Sequence, residues 1–133
     1  MTGKNRKVFI SHSYEDSPWV AEFASALKTS GVKAWSDAEI LPGENWPKKI
    51  EEALRESSTL VMVLSQNNIQ SRWMFFELGA AVADEKRIIP VLLDDMDVTR
   101  IPIPLRQFQP LRESSPQAAG KRVAEVLDKN PIH

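Results

Sequence analysis

Cysteine is absent from the 133 residues, which excludes disulfides, thiolate nucleophiles and cysteine metal sites. Histidine is nearly absent. The only two, His12 and His133, stand at opposite ends of the chain and support neither a catalytic triad nor a zinc site. An excess of charge of either sign is also lacking: the formal net charge is −1, so no electrostatic case arises for nucleic acid or an anionic membrane as partner. Long apolar runs are missing. Val8-Phe9-Ile10, behind a basic start, is too short for a signal peptide, and nothing approaches a membrane span, so a cytoplasmic protein is expected. No Gly-x-Gly-x-x-Gly or Gly-x-x-x-x-Gly-Lys-Ser/Thr run follows an apolar segment. Rossmann dinucleotide binding and P-loop phosphate binding are thereby disfavoured.

What is present is an ordinary globular balance, 42% hydrophobic and 26% charged residues, enough for one domain over 1–133 with a core from about 7 to 129. Val8-Phe9-Ile10 reads as a buried strand opening into Ser11-His12-Ser13. Ser17 and Pro18 read as the N-cap and first residue of a helix whose stripe is Val20, Phe23, Ala24 and Leu27, ended by Gly31. Val32 to Trp35 is a second strand, and 37–45 is a polar loop with a Pro-Gly turn. Asn45 caps a helix with Ile50, Ala53 and Leu54 on its apolar side. Thr59 to Leu64 is continuously apolar, as suits a strand covered on both faces. A helix carrying Trp73 and Glu77 follows, then a strand over Ile88 to Leu93 weakened by Pro90, a loop over Asp94 to Pro104, a fifth strand over Gln107 to Leu111, and a last helix from Ser115-Pro116 to Asn130-Pro131.

This alternation predicts an α/β fold, a flavodoxin-like open doubly wound sheet of five parallel strands with helices on both faces. Ligands of such sheets bind outside the carboxyl ends of the strands where strand order reverses, which selects Ser11 to Asp16, Asp37 to Asn45 and Gln66 to Trp73. A response regulator would need an acidic pair after the first strand and an aspartate ending the third. Ser11-His12-Ser13 and Ser65-Gln66 stand there instead. Asp94, Asp95 and Asp97 read as a solvated acidic loop, not a metal site. Trp19, Phe75 and Phe76 read as core, whereas Trp35 and Trp46 bracket the polar loop, where an aromatic wall for a flat ligand would stand.

Glu77 is the odd residue of this chain, one carboxylate in the apolar run Trp73-Met74-Phe75-Phe76-Glu77-Leu78-Gly79-Ala80-Ala81. Two readings compete: a solvated glutamate favoured by the helix dipole, or a carboxylate facing a wet cleft with the indole of Trp73 one turn away on the same face.

Val8-Phe9-Ile10-Ser11-His12, then Gly31-Val32-Lys33-Ala34-Trp35-Ser36-Asp37 with Leu41-Pro42-Gly43, then Trp73-x-x-x-Glu77-Leu78 together resemble the Toll/interleukin-1 receptor (TIR) domain, from about Lys7 to Leu127. The first two stretches resemble that family's first box and its BB loop. The third box is absent, with Phe108 its nearest remnant, so the resemblance is to the bacterial and plant-like branch, many of whose members cleave NAD. The resemblance implies an NAD+ glycohydrolase giving nicotinamide and ADP-ribose or a cyclic isomer, with Glu77 catalytic. It also implies His12, Ser13, Trp35, Asp37 and Trp73 in nucleotide binding, NAD+ as substrate, and no cofactor or metal. Lys48 and Lys49 follow the BB-loop segment, which itself holds no cation for a phosphate. The implied partners are other TIR domains, by homo-oligomerisation, and a sensor domain in the same or a partner chain; the implied setting is bacterial, antiphage defence or signalling. The competing expectations are an adaptor module acting through the BB loop without chemistry, and a nucleoside-processing enzyme on a similar sheet.

Overall fold

The computed structural model describes residues 7–36, 46–67, 69, 72–93, 96–101, 103–113 and 115–129. Asp37 and the rest of the expected polar loop lie outside them, as do the side chains of Trp46 and Trp73. The strands are β1 (Lys7–Ser11), β2 (Lys33–Ser36), β3 (Thr59–Leu64), β4 (Arg87–Leu92) and β5 (Leu111–Arg112). The helices are α1 (Ser17–Thr29), α2 (Trp46–Glu56), α3 (Arg72–Ala83) and α4 (Pro116–Lys129). All strand pairs are parallel, in the order β2-β1-β3-β4-β5, the expected doubly wound sheet. No helix among the described residues is long and apolar enough to cross a membrane.

Alternation along the strands sorts side chains into two cores. On one face Val8, Ile10, Val61, Val63 and Val91 pack against Phe23 and Leu27 of α1 and Ala119 and Val123 of α4. On the other, Phe9, Leu60, Met62 and Leu64 pack against Ile50 and Leu54 of α2 and Leu78 and Ala81 of α3. β3 is buried at every position, as its unbroken apolar run requires. Gly31 ends α1 at φ +86°, the left-handed conformation that glycine tolerates. Its N–H donates to the Lys28 carbonyl, and that of Val32 to the Leu27 carbonyl, closing the helix end.

Two boundaries differ from expectation. The fifth strand does not begin at Gln107: Arg106 and Phe108 donate backbone bonds to Ile103 and Leu105 in tight turns, and Phe108 packs against the α2/α3-side core. Pro110 then has no N–H to offer a ladder, so pairing starts at Leu111. Ser17 is not the N-cap of α1 but its first residue, because a short 3₁₀ turn, Tyr14–Asp16, places Asp16 in the cap position. Pro90 fits inside β4 because β5 pairs only with Val91 and Leu92, leaving a ladder neighbour on one side alone at the proline.

Candidate functional site

Strand order reverses at β1, whose neighbours β2 and β3 are reached by crossovers on opposite faces. The carboxyl end of β1 therefore sets the geometry of the crevice. Phe9 belongs to the α2/α3-side core, so Ser11, two residues on, points to that side too. There it meets α3. Ser11 Oγ donates a hydrogen bond of 2.5 Å to Glu77 Oε1.

Both partners are buried, Ser11 at 6% and Glu77 at 2% exposure. This removes the solvated-glutamate reading: Glu77 lies beyond the first turn of α3, next to Leu78 and one turn before Ala81, both in the core. A carboxylate at that depth is expensive unless hydrogen-bonded or charge-paired. The serine that ends β1 supplies one such bond.

Trp35 lies on the same face. Its ring stacks at a tilt on Phe9, with centroids 5.1 Å apart and planes at 33°, and it lines a pocket of about 160 Å³ with Lys7, Lys49, Glu52 and Glu56, at the amino end of β1 and away from Ser11 and Glu77. Lys7 Nζ pairs with Glu56 across 2.8 Å, which draws the Glu56 carboxyl below its ordinary value, chiefly through that hydrogen bond. Half of Trp35 thus serves as core and half as wall. Trp73 sits one helical turn before Glu77 in α3.

His12 parts company with this group. It is half-buried on the α1 side of the sheet, lining a groove of about 430 Å³ with Ser17, Val20, Ala21 and Ser36. Its Nδ1 lies 2.8 Å from the Ser13 carbonyl, a contact that places a proton on Nδ1. The structure therefore brings Glu77 and Trp35 to one face and turns His12 to the other, with Ser13 in the loop between.

That loop is tied to its neighbour. Asp16 accepts from Ser13 Oγ (2.7 Å) and, across the crevice, from Ser65 Oγ (2.5 Å) and Asn67 Nδ2 (3.2 Å), the last two in the loop after β3. Sequence reasoning placed Ser11, Asp16 and Asn67 in the ligand-binding loops without a role for any of them, and left Ser65 outside those loops. The available signal was that serines end two adjacent, otherwise apolar strands, at Ser11 and Ser65. Among the described residues no group of histidines and carboxylates could hold a metal ion, and Asp97 is exposed, with its Oδ1 accepting from the Thr99 N–H at 2.9 Å.

Comparison with known proteins gives a family-model match, the TIR domain, over residues 8–126. A protein named as a probable 2′ cyclic ADP-D-ribose synthase, TcpO of Methanobrevibacter olleyae, is 32% identical over 96 residues, 68% of this chain and 28% of that protein. The NAD(+) hydrolase TcpC of Escherichia coli O6:H1 is 32% identical over 87 residues, 61% of this chain and 28% of that protein. The chain spans less than a third of either relative. Among solved structures, a metazoan TIR-STING receptor from C. gigas shares the fold with a TM-score of 0.76 at 23% identity, covering 90% of this chain and 38% of that one.

Proposed function

Since the chain belongs to the TIR domain family, we propose that it cleaves NAD+ at the nicotinamide–ribose bond, with Glu77 as the catalytic carboxylate. One observation carries the reading: Glu77 is buried to 2% exposure at the switch point and held by Ser11 at the end of β1. Core packing alone gives no reason for a carboxylate there. Relatives named for a cyclic ADP-D-ribose synthase and an NAD(+) hydrolase support the same substrate.

As the glycosidic bond breaks, its electron pair leaves with the nicotinamide nitrogen and positive charge develops on the anomeric carbon, as in glycoside hydrolysis. A carboxylate at about 4 Å, at an effective dielectric near 20, stabilises that charge by about 4 kcal/mol, roughly a thousandfold in rate. Water adding to the carbon and losing a proton gives ADP-ribose. A hydroxyl of the substrate's other ribose doing the same gives a cyclic isomer. Glu77 also accepts from the ribose hydroxyls and so orients the sugar. In this reading Trp35 and Trp73 are the aromatic groups for stacking, and Ser13 and Asp37 contribute from the loops, whereas His12, on the α1 side of the sheet, is left out of the group around Glu77. NAD+ enters as substrate, with no resident cofactor or metal.

The setting is part of the same proposal. We place this activity in the cytoplasm of a bacterial defence or signalling system, switched on by self-association and by a sensor domain in the same or a partner chain. A purely adaptor role would leave the buried Glu77–Ser11 pair without a purpose. Chromatographic assay of nicotinamide release by the parent and by Glu77→Gln, with folding checked by circular dichroism, decides the matter. A loss of about a thousandfold is expected, and release at the parental rate would overturn the assignment.

A further inference from the structure

Asp16 stands in the N-cap position of α1, where an aspartate ordinarily accepts from a backbone N–H of the first turn; it makes no such bond. Its carboxylate is turned away from its own helix. Oδ2 takes the hydroxyls of Ser13 and Ser65, and Oδ1 takes the amide of Asn67. Ser65 Oγ accepts in turn from the Asn67 backbone N–H at 3.1 Å, fixing the turn that leaves β3 towards α3. One side chain thus joins the loop after β1 to the loop after β3.

Those loops flank the crevice. β1 delivers Ser11, which holds Glu77, and β3 leads into α3, which carries Glu77. A helix that gives up its cap so that the same residue can span the crevice has stability spent on geometry.

We propose that Asp16 is a positioning residue of the nucleotide site: by clasping Ser13, Ser65 and Asn67 it fixes the separation of the two loops and hence the placement of Glu77 against the bond it cleaves. This rests on the NAD+ reading. It acts through accepted hydrogen bonds, not through charge. An asparagine can keep all three bonds, its carbonyl oxygen taking both serine hydroxyls and its amide meeting a flipped Asn67 side chain.

The test compares nicotinamide release by the parent, Asp16→Ala, Asp16→Asn and Val123→Ala. Val123, in α4, is fully buried against the opposite face of the sheet, so its variant is a control for stability alone. Assays run well below the lowest Tm. Asp16→Ala should lower kcat at least tenfold with KM within threefold, because misplacement is felt at the reacting bond. Asp16→Asn should stay within threefold of the parent, and Val123→Ala should keep the parental kcat despite a lower Tm. Parental kcat in Asp16→Ala, an equal loss in Asp16→Asn, or an equal loss in Val123→Ala would each overturn the proposal. A parent that releases no nicotinamide sinks the NAD+ reading and the kinetic role with it. Hydrogen exchange then still reads the clasp separately: the Asn67 amide should exchange at least tenfold faster in Asp16→Ala while the β3 amides of Val61 and Val63 do not change.

Discussion

A buried carboxylate is only as well placed as the donors around it, and Ser11 is the donor that β1 supplies to Glu77. Ser11→Ala leaves the methylene in place and removes the hydroxyl. A buried acceptor deprived of a partner costs about 1–3 kcal/mol, so urea denaturation should show destabilisation of that order. If Glu77 acts as proposed, kcat should fall more than KM rises, because the carboxylate is then less fixed when charge develops; a variant with parental kcat would detach Ser11 from the chemistry. A second residue-scale prediction concerns acid. The Thr99 backbone N–H holds the Asp97 carboxyl below its ordinary value of 3.8. A carboxyl lowered in the folded state stabilises the protein above its unfolded value, and that contribution disappears as pH falls through the folded value. The Tm advantage of the parent over Asp97→Asn should therefore be present above about pH 4 and vanish at lower pH. An advantage constant across that range would show that the lowered titration is not felt by the fold.

At the scale of elements, α1 and α4 approach each other closely at Gly120. A Cβ added at Gly120 would sit 2.6 Å from Ala26 Cβ and 2.9 Å from the Phe23 carbonyl oxygen, so the helices cross where only glycine fits. Gly120→Ala should destabilise by about 1–3 kcal/mol through overpacking. Because this crossing covers the face away from Glu77, kcat at a temperature well below Tm should not change; a large loss would mean that α4 is coupled to the site. Local signals of this kind explain what could be read from the sequence. The four main strands, the apolar stripes of the helices and the Gly31 stop are encoded by periods of 2 and 3.6 and by one left-handed residue, so they were legible. The fifth strand was misplaced because the Phe108 side chain, drawn against the core, holds 106–108 in turns that a propensity reading takes for extended chain. Glu77 was legible as an anomaly, since a charge in an apolar run is visible without a fold. The clasp of Asp16 was not. Ser13, Ser65 and Asn67 are ordinary loop residues, and their partnership depends on β3 lying beside β1, a pairing 49 residues away in sequence from Asp16 to Ser65. The separation of His12 from Glu77 was equally hidden, because adjacent residues at a strand end point to opposite faces and only the register decides which.

For the whole molecule, the question is whether one copy is enough. A net charge of −1 provides no long-range repulsion to keep copies apart, and none of the attraction that would make assembly salt-driven. If self-association completes the site, as the family resemblance implies, then association must come from short-range contacts. Tyr14, in the turn before α1 at the mouth of the crevice, is 88% exposed, and Ile103 is 75% exposed, so large apolar side chains are available on the surface. Two outcomes follow from that argument. Nicotinamide release per molecule should rise steeply with protein concentration before levelling off, because an open head-to-tail contact adds active sites only as copies join. Raising the salt from about 0.05 to 0.5 M should leave the midpoint of that rise nearly in place, since screening shortens from about 14 to 4 Å and so suppresses a charge-driven contact but not an apolar one. Activity per molecule that stays constant over a hundredfold dilution would show that a single copy holds a complete site. A midpoint that moves strongly with salt would instead assign the contact to charged patches that the net charge conceals.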